Sequence, residues 1–206
     1  MRKIWGRLTS VNVQKVVWAC EELGLEYRRT DVGGAFGGTK TPEYLAMNPN
    51  ALIPVLQEED GYTLWESHAI LRYLGDAYPS ALWPLDARAR GKLDRWMDWQ
   101  HTVLADPQRV MFWNLVRTPP DTRDMAAVAR AVTDASGKWA MLDAEFADKY
   151  YLGGDRLSLA DIPLGCHAHR WFSMPIERPH LPALQAWYER LLDRPAYAQY
   201  VARPLE

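Results

Sequence analysis

Strand-forming patterns in this chain lie only ahead of Pro79, and past Pro84 every periodic segment reads as helix. Such a chain cannot close a large sheet. It must set a small mixed layer beside a helical body, an α+β arrangement. Lys3-Ile4-Trp5 reads as a first strand and Tyr27 to Val32 as a second. Between them Val13, Val16, Val17, Cys20 and Leu23 recur at the spacing of one helix face. Gly24 stands where a left-handed cap belongs, with Leu25 placed to fold back on the last turn. Thr41 and Pro42 open a short helix to Met47 as N-cap and first helical residue. Pro54 to Gln57 and Tyr62 to Leu64 flank the turn Glu58-Glu59-Asp60-Gly61 as a hairpin. Ser67 to Ala77 closes the unit as a helix. The order is βαβ-α-ββα over 1–78, a linker over 79–86, and an all-α domain over 87–206. Its helices are expected over about 87–117 with a kink at Pro107, then 122–148, 159–172 and 182–193, with a short C-terminal piece.

Composition removes several functions. The formal net charge is -2 and no Lys/Arg block forms a basic face, so a nucleic-acid partner is not expected. No run reaches the roughly 18 apolar residues of a membrane span. Charge returns at Arg7 before a secretory core can form, and Cys20 and Cys166 make no CxxC pair. A reducing cytoplasmic setting without a structural disulfide follows as the expectation. The loop Gly33-Gly34-Ala35-Phe36-Gly37-Gly38 is not a dinucleotide fingerprint, because no helix opens directly after it. The 10 tryptophans suit a core, and some suit an apolar ligand wall.

Four stretches carry more specific chemistry. Pro54 cannot donate to a sheet ladder, so Ile53-Pro54 reads either as an edge-strand start or as a cis turn. Glu66-Ser67 stands at a helix start, where Ser67 can cap and where free backbone N–H groups make a carboxylate site. Thr9-Ser10-Val11-Asn12 is a polar helix start of the same kind. In Leu157-Ser158-Leu159-Ala160-Asp161-Ile162, Ser158 and Asp161 form a shortened capping box, and Leu157 with Ile162 forms a staple. Cys20 lies on the apolar helix face and reads as a buried, inert thiol. His167 and His169 point to different sides of their helix, so no metal site is expected.

In order and at these spacings, Thr9-Ser10-Val11-Asn12, Asn48 to Leu56, Trp65 to Ile70 and Leu157 to Asp161 resemble the cytosolic glutathione transferases. The resemblance covers essentially the whole chain. It implies a thioredoxin-like N-terminal domain, an all-α C-terminal domain, a homodimer, and glutathione as co-substrate beside a small hydrophobic electrophile. It also implies that the backbone of Ile53, before Pro54, pairs with the cysteine moiety of glutathione. Glu66 would take the γ-glutamyl ammonium and Ser67 its carboxylate, with His68 next in reach. Lys40 and Asn50 match positions that contact the cysteinyl-glycine end, and Thr9, ahead of the first helix, is counted among the glutathione-binding residues.

The catalytic position is the start of the first helix. A thiol of pKa about 8.5 needs about 2.7 kcal/mol of preferential thiolate stabilisation to fall by two units. One neutral donor contributes about 1 kcal/mol, so the helix dipole and backbone N–H groups must add to it. By register with the serine-type members, Asn12 aligns best and Ser10 next; either residue also serves as a plain helix cap. Trp96, Val103, Met111, Trp113, Trp171 and Phe172 are candidates for the electrophile pocket and suit a core equally well. Asn in place of Tyr keeps glutathione-dependent disulfide reduction open as a second activity. A non-catalytic binding module is a third reading.

Overall fold

The computed structural model describes all 206 residues. Its strands are β1 (Arg2–Trp5), β2 (Tyr27–Thr30), β3 (Val55–Gln57) and β4 (Thr63–Trp65), arranged β2-β1-β3-β4. β1 and β2 are parallel, joined by α1 (Val11–Glu22), whereas β3 pairs antiparallel with β1 and with β4. α2 (Pro42–Met47) and α3 (Ser67–Ala77) complete the expected βαβ-α-ββα order. β3 and β4 each begin one residue later than the sequence pattern placed them, and β4 extends to Trp65. The mixed sheet is thus covered by α1 and α3 on one side. On the other, Val32, Tyr44 and Val55 form a small separate core beneath α2.

Local chemistry explains where these elements stop. α1 ends in a full left-handed cap: Gly24 sits at φ 65, its N–H donates to Glu21 O at 3.1 Å, and Leu25 N–H donates to Cys20 O at 2.9 Å. The Thr41 hydroxyl accepts from the Tyr44 N–H at 3.3 Å, and Pro42 takes the first helical position of α2.

The second half is helical throughout: α4 (Ala87–Trp99), α5 (Ala105–Phe112), α6 (Met125–Glu145), α7 (Asp161–Ser173), α8 (Pro182–Leu192) and α9 (Pro195–Tyr200). α4 and α5 are joined by a π-helical turn over Gln100–Leu104, and α5 runs into a second over Trp113–Arg117. Pro107 has no N–H for the turn before it, and the wider π turn just upstream absorbs the mismatch. Asp161, fully buried, accepts from the Ser158 N–H at 2.8 Å, the Ser158 hydroxyl at 2.6 Å, Leu152 N–H at 3.0 Å and Trp187 Nε1 at 3.0 Å. The Ser158 hydroxyl therefore donates to Asp161, and α7 opens at Asp161 itself. No helix is long and apolar enough to cross a membrane.

One continuous cluster of 41 buried residues runs through both halves. Its seam is α1 against α7. A Cβ on Gly165 would stand 2.8 Å from the Trp18 ring and 2.9 Å from Leu191, so only glycine lets the helices approach this closely. Trp18 meets Tyr197 edge to face at 4.8 Å, and the Tyr197 hydroxyl donates to Gly165 O at 2.8 Å. Glu22 accepts from Trp18 Nε1 and from Arg194 Nε, both at 2.8 Å. Gly165→Ala is therefore expected to destabilise the protein by about 1–3 kcal/mol through overpacking. Urea denaturation would register this as a lower midpoint at an unchanged m-value.

Candidate functional site

Three segments meet at one end of the sheet. β1 leaves through Gly6–Thr9, β3 is entered through Ile53-Pro54, and β4 leaves into Glu66; Trp5 opposite Val55 and Val55 opposite Trp65 set them side by side. The Ile53-Pro54 peptide is cis. A Cβ on Gly6 would lie 2.5 Å from Val13 and 3.3 Å from Ile53, so its missing side chain admits both α1 and this loop.

Side chains behind the loop hold its shape. Asn48, buried, donates from Nδ2 to Leu52 O at 2.9 Å, and the Tyr44 hydroxyl donates to the same carbonyl at 2.7 Å. Asn48 Oδ1 accepts from the Asn50 backbone N–H at 3.0 Å and from Asn50 Nδ2 at 3.1 Å. Sequence reasoning selected Asn50 for ligand contact. Asn48 and Tyr44, which position the loop, went unselected, although an Asn before Pro49 is a strong turn former.

Glu66 is exposed, with φ 70 and ψ 113, a left-handed backbone that costs a non-glycine residue about 1–3 kcal/mol. That conformation turns the chain abruptly from β4 into α3, so the first backbone N–H groups of α3 face the same end of the sheet. Ser67 Oγ lies 3.5 Å from Asn12 Oδ1, which brings the starts of α1 and α3 together. Asn12 is exposed in the first turn of α1. Ser10 occupies the N-cap position with extended backbone, and its side chain makes no capping hydrogen bond. The Thr9 hydroxyl accepts from the Arg7 guanidinium, and Lys40 is exposed on the loop ahead of α2.

His68 departs from the expectation. Its ring is buried, and Nε2 stands 3.0 Å from the Lys15 ammonium, which also donates to Gln100 Oε1 at 3.1 Å. An ammonium only donates, so Nε2 accepts and the ring proton sits on Nδ1. Burial, reinforced by the Lys15 charge, pushes the His68 pKa down to about 2, and burial lowers Lys15 to about 8. His68 thus faces inward and carries no charge to offer a carboxylate. His167 extends this buried polar set, and burial holds it well below its usual range. The sequence signal for it was the uninterrupted apolar run Val16–Cys20. A helix buried on both sides carries its odd polar residue, Lys15, inward as well.

The six pocket candidates separate. Trp96, Met111 and Trp171 are core residues, with Trp171 packed on Trp139 at 6.0 Å between ring centroids. Trp113 and Val103 reach the surface, and Phe172 stacks on Tyr188 at 4.5 Å. A cavity of about 20 Å³ adjoins the α1 start, lined by Leu8, Thr9, Phe112, Arg170 and residues 203–206 among others. Arg170 therefore belongs to this region although sequence reasoning passed it over. Cys20 and Cys166 are buried, and burial raises both thiols to about 12, so neither is a nucleophile at neutral pH.

The N-terminal domain profile of the glutathione S-transferases matches residues 9–77, and their C-terminal domain profile matches 125–190. Glutathione S-transferase GstB of Escherichia coli K12 is 37% identical over 207 residues, covering 100% of both chains. The chain belongs to the glutathione S-transferase family. A theta class member from the citrus canker pathogen Xanthomonas axonopodis pv. citri, solved with glutathione bound, is 49% identical. It matches with a TM-score of 0.95 over 100% of this chain and 99% of that one. The disulfide-bond oxidoreductase YfcG of Escherichia coli K12 is 30% identical, covering 91% of this chain and 89% of its own.

The neutral His68 gives this family member a defined acid response. Folded, His68 stays unprotonated down to about 2, whereas the unfolded chain protonates it near 6.5. Acid therefore favours unfolding, and stability falls as pH drops below that upper value, by up to about 1.4 kcal/mol per pH unit for this one group. His68→Gln keeps an acceptor for Lys15 and should fall less steeply. Denaturant midpoints for both proteins between neutral pH and acid would measure the difference in slope.

Proposed function

We propose that the protein conjugates the thiolate of glutathione to a small hydrophobic electrophile, working as a cytoplasmic homodimer with domains divided at the 79–86 linker. The observation that carries this reading is the meeting of the α1 start, the Ile53-Pro54 loop and the strained Glu66 at one end of the sheet.

Each part has a task in that reading. The Glu66 carboxylate takes the γ-glutamyl ammonium, while the Ser67 hydroxyl and the N–H groups of α3 take its carboxylate. The Ile53 backbone pairs with the cysteinyl unit, and Lys40 and Asn50 serve the glycine end. The sulfur then lies toward Asn12 and Ser10, where the α1 dipole and a side-chain donor stabilise the thiolate. Because both protein thiols are inert, the sulfur nucleophile comes from glutathione itself.

Disulfide reduction by two successive glutathione molecules is the second reading, favoured by Asn rather than Tyr at the α1 start and by the likeness to YfcG. Conjugation of a chloronitrobenzene measured beside reduction of hydroxyethyl disulfide separates the two, and a clear excess of conjugation rejects reduction.

Glu66 is exposed, so Glu66→Ala should leave the fold intact and weaken glutathione binding about tenfold or more, the loss of a charge-assisted hydrogen bond. Calorimetric titration with glutathione measures this, and an unchanged affinity rejects the assigned site. Asn12→Ala should raise the pKa of the bound thiol, seen as a pH–rate profile displaced to higher pH. A profile that does not move rejects Asn12 as thiolate donor and leaves Ser10→Ala as the next variant.

A further inference from the structure

Three guanidinium groups beside the α1 start, those of Arg7, Arg117 and Arg170, make no ion pair. The Arg170 guanidinium lies 3.7 Å from the centroid of the Phe112 ring, and that of Arg117 lies 5.5 Å from the same ring. Neither makes a side-chain hydrogen bond. Arg7 donates to Thr9, but its Nε is buried without a partner. Burial and the neighbouring cations lower the pKa of Arg7, and burial lowers Arg170 to about 10. Arg7 and Arg170 are half-buried and Arg117 is exposed, and a half-buried guanidinium without an ion pair is relieved when an anion joins it. Their planar forks match a carboxylate.

The cavity here connects this cluster to the proposed chemistry. Leu8 and Thr9 line it and directly precede Ser10, while Phe112 and Arg170 form part of its opposite wall. The one acid lining it is Glu206, whose charge favours the protonated form of Arg7. Arg203, on the same segment, accepts at its carbonyl from His169 Nε2 at 2.7 Å. At about 20 Å³ the space holds little more than a water molecule, so a second substrate must displace residues 203–206. Glu206 thus brings an acid to the place where a substrate acid would be received.

We propose that the electrophile of the transferase reaction carries a carboxylate, received by Arg170 and Arg117 across Phe112 with Arg7 alongside, its apolar body lying against Leu8 and Phe112. This rests on the transferase reading above and narrows its substrate class. In the reaction the glutathione thiolate forms a carbon–sulfur bond at the electrophilic carbon. A halide or comparable leaving group departs with the bonding electron pair, and the thiol proton has already passed to solvent. Arg117 and Arg170 act on selection of the electrophile, leaving thiolate formation to the α1 start.

Calorimetric titration of the full chain with S-benzylglutathione, S-(4-carboxybenzyl)glutathione and the methyl ester of the latter tests this without needing turnover. The carboxylate conjugate is expected to bind about tenfold more tightly than its ester, the gain from a charge-assisted pair. Arg170→Gln and Arg117→Gln should each bring that ratio down severalfold. Arg117 is exposed, so its variant keeps the test sound if the Arg170 variant misfolds. Equal binding of carboxylate and ester by the unaltered protein, with S-benzylglutathione still bound, overturns this inference alone. A ratio left unchanged by the folded Arg117 variant overturns it too. If none of the three conjugates binds, the glutathione site falls and the inference with it.

Discussion

The close contact of α1 with α7 at Gly165 is the constraint on which the rest of the molecule depends. α1 covers the sheet with one face and offers Trp18 to the helical half with the other, leaving no solvent-facing stripe along its middle turns. Because Gly165 contributes no side chain, the Trp18 ring reaches the α7 backbone, and Tyr197, Leu191 and the Glu22–Arg194 pair close around it. Fully burying a large apolar side chain contributes about 1.5–3 kcal/mol, so this seam is a large share of what a marginally stable chain can spare. The same packing aims the N-terminus of α1 at the end of the sheet where glutathione is proposed to bind.

Stability is given up locally to shape that end. Glu66 keeps a left-handed backbone although it is not glycine, and Ala51 does the same at φ 56 in the loop ahead of Ile53. Each is held by its surroundings: Asn48 and Tyr44 secure the loop, and the hairpin with the start of α3 secures Glu66. Beneath them, Lys15, His68 and Gln100 form a buried polar contact joining α1, α3 and the turn after α4. Burial lowers both pKa values, and the Lys15 charge lowers that of His68 further, so the contact is held as a neutral imidazole accepting from an ammonium. The helix that carries Ser67 is thereby tied to the helical half.

Legibility in the sequence followed the range of the interaction. The Gly24 cap, the Thr41-Pro42 helix start and the Glu58–Gly61 hairpin turn depend on neighbours within a few residues, and each formed where its residues indicated. Pro107 lies inside α5, and the π-helical turns at Gln100–Leu104 and Trp113–Arg117 were not legible, since they depend on what α4 and α5 pack against. His68 shows the opposite case. Its position beside Ser67 suggested a ligand contact, but the side chain direction was decided by Lys15, 53 residues away in sequence. Trp96, Met111 and Trp171 carry the residue types of an apolar pocket, and those types do not distinguish a pocket from a core.

The sequence by itself determined the order of elements and the division into a mixed sheet unit and a helical body, because periodicity, capping and turn chemistry are local, while the family was legible only as a resemblance of motifs. Tertiary structure alone decided which polar groups share a space. It turned His68 inward to Lys15, placed Arg7, Arg117 and Arg170 about one corner near Phe112, and brought Glu206 to the same cavity. These residues come from both ends and the middle of the chain. What unites them is the packing of α1, α5 and α7, and no local pattern encodes a neighbour that arrives only when the chain has closed on itself.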